Sequence, residues 1–163
     1  MKKRFFMLFY LYNGVDYLND MKNKLGISDD LIEIRRPLPR SELAELMAAC
    51  NIGLVPFDDK PYLMYATSTK VFEYLSAGLY VIGTGPKRGE LDSFFASNPI
   101  LGLHVPPTVE NLVRVFSEVA ESADELINDG CTNLRHLFIK ENFDRKRIML
   151  KAIQTLWNDV LVG

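Results

Sequence analysis

A chain of 163 residues with 48% hydrophobic and 25% charged residues has the length of one domain, 1–163, and the composition of an ordinary folded protein, which excludes intrinsic disorder. A net charge of −2 gives no global attraction to nucleic acid or to an anionic membrane, so nucleic acid is not an expected partner and membrane association is peripheral at most. Two cysteines, Cys50 and Cys131, fit neither a metal-ligand spacing nor a disulfide framework, so the expected setting is reducing and cytoplasmic, with no metal site.

The chain opens Met1-Lys-Lys-Arg4 and continues through the aromatic and aliphatic run Phe5 to Tyr12. The run is too short for a membrane span, lacks a small-residue cleavage site and stops at Asn13-Gly14, so it reads as a buried strand rather than a signal peptide. Val15 to Leu25 carries a helical apolar stripe with Gly26 as its C-cap, and Leu31 to Ile34 is a short strand. Arg35-Arg36-Pro37-Leu38-Pro39 is a loop, because its prolines oppose helix and sheet alike. Ser41 is the expected cap of a helix buried along Leu43, Leu46, Met47 and Cys50. Ile52 to Pro56 is the next strand, and the polar loop Asp58 to Thr69 follows it.

The densest stretch is Lys70-Val-Phe-Glu73-Tyr-Leu-Ser-Ala-Gly78-Leu-Tyr-Val-Ile-Gly83. Val71, Phe72, Leu75 and Ala77 give a helix its apolar face, Gly78 ends it, and Tyr80-Val-Ile82 is a buried strand. Thr67, Ser68 and Thr69 precede this helix at the carboxyl end of a strand, where open α/β sheets bind ligands and free N–H groups attract phosphate. From spacing alone the plainer account is favoured: Ser68 or Thr67 as an N-cap, and Lys70 with Glu73 as a solvated i,i+3 pair.

Past Gly83, the run Gly85-Pro-Lys-Arg-Gly89 has the wrong glycine spacing for a dinucleotide fingerprint and reads as a phosphate-accessible turn. Glu90 to Ala96 is a short helix, Ile100 to Val105 the last strand, and Thr108 caps an amphipathic helix containing Leu112, Val115, Phe116 and Val119. The rest is helical: Asp124 to Asn128, Thr132 to Lys140, and a final helix capped by Asp144 and carrying Ile148, Ile153, Leu156, Trp157 and Val160. His104 and His136 read as surface or strand-end histidines. The fold class expected from this alternation is α/β, a Rossmann-like parallel sheet of about five strands flanked by helices, with a helical C-terminus.

The run Tyr65-Ala-Thr-Ser-Thr-Lys70-Val-Phe-Glu73-Tyr-Leu-Ser-Ala-Gly78-Leu-Tyr-Val-Ile resembles the donor-site helix of group 1 glycosyltransferases of the GT-B fold. Pro39 to Phe57 and Leu103 to Leu112 are similar to further segments of their C-terminal, nucleotide-sugar-binding domain. The resemblance implies that Glu73 accepts from the donor ribose hydroxyls, that Thr67, Ser68 and Thr69 hold the diphosphate with help from Lys70, and that the loop with Arg36 and Leu38 borders the base. Tyr65 stands where many members carry a second glutamate, eight residues before Glu73, and Tyr80 stands where proline is usual.

By the same resemblance, the first βα unit of that domain and the whole acceptor domain have no counterpart here. The sheet is then expected either to close with the Phe5 strand beside the Leu54 strand or to have its gap filled by another chain, with closure, or association that covers an exposed edge, favoured. The implied function is donor binding for transfer of a sugar from a UDP- or GDP-sugar to a glycan or lipid-linked acceptor, with no metal or further cofactor, no catalytic residue in this chain and no activity alone. A different class is a non-catalytic nucleotide-sugar-binding or scaffolding module that joins an acceptor-domain protein or a second copy. A third is a relic that binds nothing. In the first view the C-terminal apolar face, Trp157 included, packs on a partner; in the other it seals the domain's own core.

Overall fold

The structure is a computed structural model that describes residues 5–162, the side chains of residues 145 and 156–162 excepted. The opening Met1-Lys-Lys-Arg4 and the side chains of Leu156, Trp157 and Val160 therefore lie outside the described residues.

Strands and helices alternate: β1 (Met7–Tyr10), α1 (Val15–Lys24), β2 (Ile32–Arg35), α2 (Arg40–Ala48), β3 (Ile52–Pro56), α3 (Thr69–Ser76), β4 (Tyr80–Thr84), α4 (Glu90–Ser97), β5 (Gly102–Val105) and α5 (Val109–Glu121). Three helices follow, α6 (Ala123–Leu126), α7 (Asp129–Asn142) and α8 (Arg145–Val162). Every strand pair is parallel, as crossover helices between successive strands require. The chain is thus α/β and Rossmann-like, with a helical C-terminus.

The strands form two sheets, β1-β2 and β3-β4-β5, and no ladder joins them among the described residues. This corrects the expectation that the Phe5 strand closes against the Leu54 strand. The sheets meet through side chains instead: the Phe5 ring lies 5.3 Å from Phe116 of α5 and packs, as do Ile52 and Leu54 of β3, on the cluster Tyr80, Ile82, Val105, Val115 and Val119. The opposite face of the larger sheet holds Val55, Val71, Leu75, Val81, Leu91, Phe95 and Leu101. β4, central and fully buried, carries both clusters, which is why its sequence shows no polar alternation. Rings of Phe72, Phe94, Phe138 and Phe143, with neighbouring centroids 4.7–6.4 Å apart, join α3, α4 and the end of α7.

Thr108 and Asp144 cap their helices as expected, accepting from the N–H groups of Asn111 and Lys146. Ser41 does not: α2 begins one residue earlier, after Pro39, whose fixed φ sets up the first turn without a side-chain cap. The stripe Leu43, Leu46, Met47 and Cys50 is only half-buried. Along α8 the described side chains from Lys146 to Thr155 are exposed, Ile148 and Ile153 among them. Among the described residues no helix is long and apolar enough to cross a membrane.

Candidate functional site

α3 follows the carboxyl end of β3 in the larger sheet. Ser68, in extended conformation, turns the chain into the helix and accepts through Oγ from the Lys70 N–H at 3.2 Å. Val71 and Leu75, one turn apart and fully buried, fix the helix against β3 and β4. Gly78 terminates it at φ +80°, with its own N–H reaching Leu75 O and the Leu79 N–H reaching Tyr74 O, both at 3.0 Å. A β-carbon at Gly78 would stand 2.5 Å from Thr132 Cγ2, so glycine is also required for α7 to pack here. The buried Thr84 hydroxyl donates to Phe57 O at 2.7 Å and ties the carboxyl ends of β3 and β4 together. Pro61–Tyr65 forms a 3-10 turn inside what the sequence presents as a plain loop.

Lys70 Nζ donates to Glu73 Oε2 at 2.8 Å, and both side chains are partly exposed. The carboxylate holds the Lys70 ammonium above its ordinary range, first through this hydrogen bond, while partial burial opposes it. Glu73 Oε1 carries no hydrogen bond among the described residues and remains able to accept.

Helix geometry therefore brings Ser68, Thr69, Lys70 and Glu73 together at one helix end. Thr67 is half-buried just before the cap, and Tyr65 closes the 3-10 turn with 85% of its surface exposed. Arg36 is exposed and Leu38 half-buried on the loop between β2 and α2. No hydrogen bond or ion pair joins Arg36, Tyr65 or Thr67 to α3 among the described residues. Cavities of about 450 Å³ beside α8 and about 260 Å³ beside His104 include none of these residues.

In the turn after β4, Lys87 and Arg88 are exposed. Gly85, Pro86 and Gly89 are buried, and Glu90 and Asp92 put negative charge into the first turn of α4, which repels an anion. Asp92 Oδ2 accepts from the Arg88 N–H at 2.7 Å, while Oδ1 lies 3.3 Å from His104 Nδ1. His104 is thus a strand residue with a buried side chain, not a surface one, and its Nε2 has no hydrogen-bond partner. Its position two residues after Gly102 on the same strand face was the available signal.

Burial pushes the His104 pKa below its ordinary value, and Asp92 opposes this without cancelling it. The unfolded chain therefore takes up the histidine proton first as pH falls. Stability from this group is complete above about pH 6.5 and is lost as pH drops through the folded value. Urea midpoints at pH 7.5 and 5.5 should fall more for the wild type than for His104→Gln. Equal falls would show that another group governs the acid limb.

Arg135, which the sequence reading missed, has 0% exposure and donates to Ile100 O at 2.9 Å, Gly78 O at 3.2 Å and Leu126 O. Its place on one helical stripe with Phe138 and Ile139 was the signal that it faces inward. No protein-family model matches the chain, and no curated protein matches it.

Proposed function

We propose that the chain is the donor-binding domain of a glycosyltransferase, engaging a UDP- or GDP-sugar for transfer to a glycan or lipid-linked acceptor. The observation that carries this reading is the placement of Glu73 one turn into α3, behind the hydroxyl-bearing start Ser68-Thr69, at the carboxyl end of a parallel strand. A cis-diol donates two hydrogen bonds, and a carboxylate with an available oxygen accepts them. The helix start faces the diphosphate with N–H groups and hydroxyls, and Lys70 turns from Glu73 toward phosphate oxygens. The resemblance to group 1 glycosyltransferases supports the same assignment, with Arg36 and Leu38 beside the base and Thr67 and Tyr65 at the rim. The expected setting is the cytoplasm, where both cysteines stay free.

The 163-residue chain is expected to transfer no sugar by itself, because positioning an acceptor is worth several orders of magnitude in rate. A companion reading is a non-catalytic nucleotide-sugar-binding or scaffolding module that pairs with an acceptor-domain protein.

Calorimetric titration with UDP and GDP tests the assignment. Glu73→Ala is expected to weaken binding about ten- to a hundredfold, the cost of losing one charged hydrogen-bonding partner of roughly 1.5–3 kcal/mol. Lys70→Ala should cost less, mostly at low salt, because its charge is partly exposed. Equal affinity in wild type and Glu73→Ala would remove the ribose contact from the account.

A further inference from the structure

α8 places its cations where the fold gives them no partner. Arg145, Lys146 and Arg147 occupy its first turn and Lys151 follows one turn after Arg147, with no acidic residue in the helix before Asp159. Cations in a first turn oppose the helix macrodipole, whose positive end lies there. One carboxylate offsets them: Asp144 caps the helix, accepting through Oδ1 from the Lys146 and Arg147 N–H groups at 2.9 and 3.2 Å. The side chains of Lys146, Arg147 and Lys151 are exposed and make no ion pair among the described residues. The chain as a whole carries −2, so this positive charge is local to α8 and is set against an acidic remainder.

The same helix leaves apolar surface in water. Met149, Leu150 and Ile153 each expose more than half of their surface, and Ile148 nearly half. With 3.6 residues per turn, Ala152, Met149, Ile153 and Leu150 share an arc of roughly 160° on α8, while Arg147, Lys151 and Gln154 lie opposite. The spacing Met149, Ile153, Leu156, Val160 carries this arc on along the sequence, and position 157, a tryptophan, falls within it.

We propose that α8 docks the domain on an anionic lipid surface, lying in the plane of the interface with Met149, Leu150 and Ile153 among the acyl chains and its cations at the headgroups. A bilayer surface supplies apolar contact and negative charge at neighbouring depths, which is what a wide apolar arc joined to unpaired lysine and arginine requires. Lys146 falls within the arc and keeps its ammonium at the phosphates by burying its stem. A second copy fits less well: each α8 brings four cations and only Asp159 to offset them, and the arc is wider than the seam of a helix pair. Nucleic acid would take the cations and leave the apolar arc in water. The acidic remainder of the chain is repelled by the same surface, which turns the body of the domain away from it. The proposal stands on α8 and does not rest on nucleotide binding.

Co-sedimentation of the full chain with vesicles tests it. Partition onto phosphatidylcholine vesicles carrying about 40% phosphatidylglycerol should be at least about thirtyfold stronger than onto phosphatidylcholine alone, and should weaken as salt is raised. Emission of Trp157, the one tryptophan in the sequence, should move to the blue on the anionic vesicles. Ile153→Asp, and Arg147→Gln combined with Lys151→Gln, should each weaken partition about tenfold. These side chains are exposed, so the variants should keep the wild-type urea midpoint, and Glu73→Ala should partition like the wild type. Equal partition onto both kinds of vesicle, none onto either, or α8 variants that partition like the wild type would overturn the proposal. A blue shift that grows with protein concentration in the absence of lipid would assign the face to a second copy instead. Tighter binding to a short RNA duplex than to the anionic vesicles would assign the cations to nucleic acid and equally overturn lipid docking.

Discussion

Arg135→Ala is expected to lower the free energy of unfolding by about 3–5 kcal/mol, the range found when a buried charged group's partners are stranded. The guanidinium sits at the meeting point of the chain's second half. It caps the carbonyl of Gly78 where α3 ends, that of Ile100 before β5, and that of Leu126 at the end of α6, and it lies over the Tyr80 ring at 5.2 Å. Truncation leaves three carbonyls without donors in a place that water reaches poorly, while the charge itself is gone. Burial already holds the Arg135 pKa below its ordinary value, which shows that the charged form is tolerated rather than comfortable there. At about 2–4 °C per kcal/mol for a domain of this size, the melting temperature should fall by roughly 6–20 °C. Arg135→Lys should recover little, since one ammonium cannot reach three divergent carbonyls. Urea denaturation of the three proteins measures this, and a loss below about 1 kcal/mol for the alanine variant would mean that the carbonyls find other donors.

Gly102→Ala should be at least as damaging. A β-carbon there would stand 2.1 Å from the Val81 carbonyl oxygen on the neighbouring strand and 2.8 Å from Phe95 Cε1. The first obstacle is backbone held in the β4 ladder, which opposes Gly102 in register, so it cannot swing aside as a side chain would. Either β5 moves off β4 or Phe95, 2% exposed, leaves its place in the core. Overpacking of a yielding site costs about 1–3 kcal/mol, and a backbone obstacle puts this variant at or beyond the upper end. The expected result is a fall of about 3 kcal/mol or more, or insoluble expression. A midpoint within experimental error of the wild type would show that the strand end accommodates a methyl group by shifting.

The five strands were legible because each is a short apolar or β-branched run bounded by glycine, proline or polar turns, and parallel pairing followed from the helices between them. The cap at Ser68 and the stop at Gly78 were legible for the same local reason. Ser41 misled because a good capping residue stood one position inside a helix that proline had already started. The division into two sheets was not legible, since pairing between β1 and β3 depends on non-local backbone placement that no side-chain pattern encodes. Arg135 was hidden by the habit of reading charge as surface, though its helical phase with Phe138 pointed inward. In the candidate site, the grouping of Ser68, Thr69, Lys70 and Glu73 follows from helix spacing, whereas Arg36 and Leu38 entered through resemblance and remain on a separate loop.

The central claim is that a nucleotide diphosphate sits at the start of α3 with its ribose on Glu73. An amide ¹H–¹⁵N titration of the chain with UDP, repeated with GDP, locates the ligand directly. The expected result is saturable shifts concentrated on the amides from Ser68 to Glu73, with smaller ones at Arg36 and Leu38, and their loss in Glu73→Ala. Shifts confined to the cavity beside His104, or none at millimolar nucleotide, would contradict it.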